Sequence, residues 1–106
     1  MQLSITATDS GGTRVLAVCG EVDVSSADEL RQALDEALSA GVTAVEADLS
    51  QVPYIDSTGI GVLVGAARRA EEAGVSFAVS EPQSNVARVL DLLGVSEELR
   101  VRRDQS

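Results

Sequence analysis

A chain of 106 residues, 44% of them hydrophobic and 24% charged, has the size of one compact unit with its own core, and residues 1–106 are read as a single domain. Its formal net charge of −9 comes from 17 acidic residues against 8 basic ones, all arginine, which excludes nucleic acid and anionic lipid as partners because both are bound by cations that neutralise phosphates. With no histidine and no lysine, the sequence cannot build a Ser-His-Asp triad, a Cys-His pair, the usual zinc sites, a Ser-Lys dyad or a Walker A loop, so neither an enzyme nor a metal or cofactor site is expected.

Residues 1–7 lack the basic flank and apolar run of a secretion signal, and no stretch approaches ~18 uncharged apolar residues, so a cytoplasmic location without direct membrane contact is expected. Alternation at Leu3, Ile5 and Ala7 predicts a first strand. Asp9-Ser10-Gly11-Gly12 then turns the chain into a second strand over 13–19, in which Cys19 is expected as a small buried hydrophobe. Ser26 and Glu29 have the spacing of a capping box, and Ala27, Leu30, Leu34, Ala37 and Leu38 follow at helical spacing until Gly41.

A third strand is predicted over 43–49, then a loop over 50–55 broken by Pro53. The second helix starts near Asp56 and Ser57, carries the apolar stripe Ile60, Leu63, Val64 and Ala67, and stops at Gly74. A fourth strand spans 75–79. Pro82 and Ser84 open a last helix with Val86, Val89, Leu90 and Leu93 on one face, closed by Gly94. Residues 100–106 either add an edge strand at Val101 or fray. Strands alternating with helices after an opening hairpin give an α/β fold, a mixed sheet whose later strands are largely parallel.

The glycines of Gly59-Ile60-Gly61 and Gly65 approach a dinucleotide fingerprint, but the third falls one position late. They are read instead as places of close packing at the helix start and of close approach by a partner backbone. Asp48 and Asp56 follow a strand as magnesium ligands do in phosphoryl-transfer folds, yet no lysine completes such a site. Asp48 is therefore expected to bond nearby backbone and Asp56 to belong to the helix start.

From Asp48 the chain reads D-L-S-Q-V-P-Y-I-D-S-T-G-I-G-V-L-V, preceded by Gly20-Glu21-Val22-Asp23 and followed by Val86-Ala87-Arg88-Val89-Leu90 before Gly94. These three segments, in this order over nearly the whole chain, resemble STAS domains of the anti-sigma factor antagonist branch. The resemblance implies the STAS fold, a mixed sheet with an N-terminal β-hairpin and alternating helices. It also implies a partner that is both an anti-sigma factor and an ATP-dependent serine kinase. The position phosphorylated in that branch is Ser57; the bare form binds the partner and frees the sigma factor, and a phosphatase resets the phosphorylated form.

Read by itself, Ser57 in a first helical turn is either a plain N-cap or an exposed acceptor of phosphate, and it can be both. Thr58 is the alternative hydroxyl in the same turn. Partner contacts are expected from Asp23, the loop Val24 to Ser26 with Ser25 and Ser26, then Asp56, Ser57, Thr58, Gly59 and Ile60, with a core role for Ile60 equally open because it lies in the apolar stripe. A monomer is expected. The alternative from the same family is a STAS subunit of a membrane transport complex, with the membrane-spanning part supplied by a partner. A nucleotide-sensing domain fits poorly without lysine or a phosphate loop.

Overall fold

The structure is a computed structural model that describes residues 3–103. The hairpin is the simplest part to derive: β1 (Ser4–Ser10) and β2 (Thr13–Cys19) run antiparallel with Ser10 opposite Thr13, which leaves Gly11 and Gly12 as the whole link. Both glycines have positive φ, 58° and 85°. A tight link matched to strand twist requires that backbone geometry, and a side chain resists it.

The chain continues through α1 (Ala27–Leu38), β3 (Ala44–Gln51), α2 (Ser57–Ala73), β4 (Ser76–Ser80) and α3 (Ser84–Leu92). The sheet order is β1-β2-β3-β4, with β2, β3 and β4 mutually parallel. This is the mixed sheet that a hairpin followed by crossover helices predicts. Predicted ends of β3 and β4 move by one or two residues, and Gly74 caps α2 in a left-handed conformation as expected.

Period-2 alternation assigns the sheet faces. Leu16 and Val18, then Val45, Ala47 and Leu49, then Phe77 and Val79 are buried on one face, beneath the inward residues Leu30 and Leu34 of α1 and Ile60 and Leu63 of α2. Residues between them lie on the other face, where Ala17 and Cys19 are exposed and Glu46, Asp48 and Ala78 are partly covered. Cys19 is thus not the buried hydrophobe expected: Leu16 and Val18 take the inward positions, so the register turns Cys19 outward. The buried stripe of α2 is also rotated slightly, running Ile60, Leu63, Ala66, Ala70, with Val64 and Ala67 only partly covered.

The face of α3 differs from expectation as well. Val86, Ala87 and Leu90 are buried, whereas Val89, Leu92 and Leu93 are exposed. Spacing of apolar residues fits either face of this helix, and contacts from elsewhere in the chain decide between them. Beyond α3, Leu99 is fully buried, its carbonyl accepts from Val79 N at 3.0 Å, and Arg102 pairs in parallel with Ser80. The side chain of Glu46 fixes this segment by accepting from Arg102 Nη2 at 2.6 Å and from Ser80 Oγ at 2.7 Å. The pairing therefore falls at Arg102 rather than Val101; residues 104–106 of the predicted tail lie outside the described residues. Among the described residues, no helix is long and apolar enough to cross a membrane.

Candidate functional site

Two connections meet at the ends of the parallel strands. The residues after β2 run alongside the loop between β3 and α2, because Gly20 N donates to Gln51 O at 3.1 Å, Val22 N to Tyr54 O at 3.0 Å and Asp56 N to Val22 O at 3.0 Å. Val22 and Ile55 form a parallel bridge and are both buried. This short ladder brings Asp23 and Ser25 from one connection beside Asp56, Ser57 and Thr58 from the other.

Asp56 is the N-cap of α2. Its Oδ1 accepts from Gly59 N at 3.1 Å and its carbonyl accepts from Ile60 N at 3.0 Å. A carboxylate at this place satisfies a first-turn donor and favours the positive end of the helix. With the cap taken by Asp56, Ser57 is the first helical residue rather than the cap, and its side chain, like that of Thr58, is exposed. The amides of Ser57 and Thr58 are first-turn donors that the cap leaves unused.

Gly59 and Ile60, expected as partner contacts with a core role equally open for Ile60, are buried below this surface. A Cβ at Gly59 would sit 2.5 Å from Val22 Cγ1 and 2.8 Å from Ile55 Cγ1, so glycine is what lets the start of α2 close onto the ladder. Ile60 is only 4% exposed and belongs to the core. Of the remaining glycines in this turn, Gly61 has no neighbouring atom within 4 Å of a Cβ position and faces outward.

The Asp23 turn is held by its own side chains. Asp23 Oδ1 accepts from Ser25 Oγ at 2.7 Å and from Ser25 N at 2.9 Å. The Ser25 hydroxyl first, and then the backbone amides of Ser25 and Ser26, hold the Asp23 carboxyl below the usual carboxylate range against the opposing effect of desolvation. Asp23 is accordingly charged at neutral pH. Ser26, expected both as a capping-box residue and as a partner contact, is buried and makes no side-chain cap: it is 2% exposed, its Oγ donates to Glu21 O at 2.9 Å, and the same oxygen accepts from Asp23 N at 3.1 Å. The hydroxyl is spent on closing the turn before α1, so no cap to α1 forms.

Val24, in the loop Val24 to Ser26 expected to touch a partner, and Tyr54, which the sequence did not single out, stand at this site. Val24 is 75% exposed and Tyr54 is 50% exposed, one on each connection. The signal for Tyr54 was available in the extended segment around it, where Val52 and Ile55 take the buried places and leave the aromatic ring outside. Asp48 stays apart, accepting from Ser50 N at 2.9 Å as a strand-end carboxylate should. Among the described residues, no three metal-ligating side chains gather. What the site offers is a hydroxyl beside two carboxylates, Asp23 and Asp56, with the exposed Val24 and Tyr54 on the same two connections.

The profile of the STAS domain matches residues 4–105. The chain belongs to the STAS domain family. The anti-sigma-F factor antagonist RsfB of Mycobacterium tuberculosis is 29% identical over 99 residues, covering 93% of this chain and 80% of that protein. The anti-sigma-B factor antagonist of Bacillus subtilis is 32% identical over 80 residues, covering 76% of this chain and 72% of that protein. In fold, the crystal structure of an anti-sigma factor antagonist from Mycobacterium paratuberculosis superposes with a TM-score of 0.87 at 24% identity, covering 94% of this chain and 85% of the other. In this STAS domain the segment from Asp48 to Leu63 runs from strand end through loop to helix start, and the segment from Gly20 to Asp23 is its backbone partner.

Proposed function

We propose that this STAS domain is an anti-sigma factor antagonist that acts as a monomeric single domain without catalysis of its own. With Ser57 bare it docks on an anti-sigma factor that has serine-kinase activity; phosphorylation of Ser57 ends the docking, and a phosphatase restores it. The observation that carries this reading is the exposed Ser57 hydroxyl at the first turn of α2, next to the capping carboxylate of Asp56 and across the ladder from Asp23. The relatives named as anti-sigma factor antagonists support the partner class.

In the transfer, Ser57 Oγ forms a bond to the γ-phosphorus of ATP, the bond from that phosphorus to the departing ADP oxygen breaks, and the serine proton passes to a base of the kinase. The product adds about −1.5 to −2 charge at pH 7. Its oxygens meet the unused amides of the first turn and the positive end of the helix, so the domain keeps its fold. A partner surface shaped for a neutral hydroxyl meets something different. At ~5 Å and an effective dielectric of ~20, each like-charge pair across the interface costs about 3 kcal/mol before screening. If ~2 kcal/mol survives solvent and salt, binding weakens about thirtyfold, enough for a switch.

The test is mass spectrometry of the protein isolated from its own cells, together with identification of whatever soluble kinase co-purifies with the unmodified form. One phosphate on Ser57 supports the reading. Absence of phosphate from both Ser57 and Thr58 after incubation with that kinase and ATP would sink it.

A further inference from the structure

The loop that leads into Ser57 is held from two sides, and only one of them is the Val22 ladder. The carbonyls at the end of β3 and in the loop reveal the second. Ser50 O accepts from Gln83 Nε2 at 3.0 Å, Gln51 O from Gly20 N at 3.1 Å, Pro53 O from Asn85 Nδ2 at 2.8 Å, and Tyr54 O from Val22 N at 3.0 Å. The donors alternate between the start of α3 and the residues after β2. Both α3 donors are exposed side-chain amides, more than thirty residues away in sequence from the carbonyls they reach.

Neither amide fills the core and neither caps α3 through its side chain; Gln83 is the N-cap by position and makes no side-chain cap bond. A loop with Pro53 in its middle has few ways to order itself, because proline removes a backbone donor and regular pairing stops there. Hydrogen bonds from outside therefore select its conformation, and on the α3 side they come from these two residues.

We infer that Gln83 and Asn85 are positioning residues for Ser57, bracing the β3–α2 loop so that the hydroxyl is presented to the partner in one conformation. The inference rests on the reading of Ser57 as the phosphorylated residue, and it adds the start of α3 to the machinery. A brace of this kind acts on the fraction of molecules ready to bind. When that fraction falls, apparent affinity falls in proportion while the bound complex reacts at its old rate.

The experiment uses the full chain with Gln83→Ala, Asn85→Ala and both together. Amide hydrogen exchange, which needs no partner, should show the Val22 and Asp56 amides of the double variant losing nearly all their protection, as a competent fraction of about one-tenth requires, while Leu30 and Leu34 in α1 keep theirs. With ATP and the kinase that phosphorylates the wild-type chain at Ser57, KM for the double variant should rise about tenfold with kcat unchanged, and each single variant should lie between. Uniform loss of protection across α1 and the loop would mean a merely structural role and overturn the inference, as would wild-type exchange and wild-type KM. A wild-type chain that is not phosphorylated at Ser57 overturns the function proposed above, and the exchange data then still report separately whether the brace exists.

Discussion

The amide of Asp56 donates to the carbonyl of Val22 at 3.0 Å, and the residues that follow these two partners are Ser57 and Asp23. One backbone hydrogen bond thus sets a neutral hydroxyl beside a charged carboxylate across a gap of thirty-four positions in sequence. In the function proposed above, a partner surface meeting this pair has little tolerance for negative charge added at Ser57.

Ser57→Asp should therefore keep its fold and lose partner binding by about thirtyfold or more, corresponding to ~2 kcal/mol of interfacial repulsion. Ser57→Ala should bind like the unmodified chain and accept no phosphate at that position. Titration calorimetry with the co-purified kinase, alongside circular dichroism of each variant, checks both; wild-type affinity in the aspartate variant would contradict the charge mechanism.

The two neighbouring glycines of α2 should respond in opposite directions. In Gly59→Ala the new methyl meets Val22 Cγ1 at 2.5 Å and Ile55 Cγ1 at 2.8 Å. Overpacking against buried branched side chains should cost about 1–3 kcal/mol. Gly61→Ala meets nothing within 4 Å on an exposed helical face. It should gain about 0.5–1 kcal/mol from reduced backbone entropy in the unfolded chain. Urea unfolding of the pair measures the contrast, and equal effects would show that the close approach at Gly59 is not limiting.

Ile60→Ala should behave as a core truncation. A side chain 4% exposed in the main core should cost about 2–5 kcal/mol when cut back to a methyl. Its partner affinity, measured at a temperature where the variant is folded, should stay near that of the wild type. A large loss of affinity with little loss of stability would return Ile60 to the interface.

Asp23 supplies a pH signature. Its folded-state carboxyl titrates below the ordinary value of about 3.9 because Ser25 Oγ and nearby amides stabilise the anion. A depressed folded value means that the unfolded chain binds the proton more readily, so the stabilisation is complete above about pH 4 to 5 and disappears as pH falls through the folded value. The stability difference between wild type and Asp23→Asn should accordingly be present at pH 7 and shrink toward zero in acid. Denaturant melts of both proteins from pH 7 to pH 2 test this; a difference that grows in acid would reverse the sign and refute the assignment.

Features that depend only on near neighbours along the chain are legible in the order of residues. The Gly11-Gly12 link, the start of α2 at Asp56 and Ser57, and the stop at Gly74 are each specified by one or two residues whose backbone preferences act locally. The exposed Ser57 belongs with them, because the residue after an N-cap stands at a helix end. Ser26 and Glu29 show where the same reasoning misleads: the spacing of a capping box is present, but Glu21 O lies within reach of the Ser26 hydroxyl and takes it.

By itself, then, the chain's order of residues determined the succession of strands and helices, the absence of histidine and lysine chemistry, and the hydroxyl at the head of α2, all of which follow from composition and from interactions over a few residues. The tertiary structure alone decided which side of α3 is covered, that Cys19 faces outward while Ser26 and Ile60 face inward, and that Gln83, Asn85 and Val22 share the loop before Ser57. The physical reason is that a side chain's direction and a loop carbonyl's donor are set by whatever segment the parallel crossovers bring alongside. Periodicity along the chain carries no record of that neighbour.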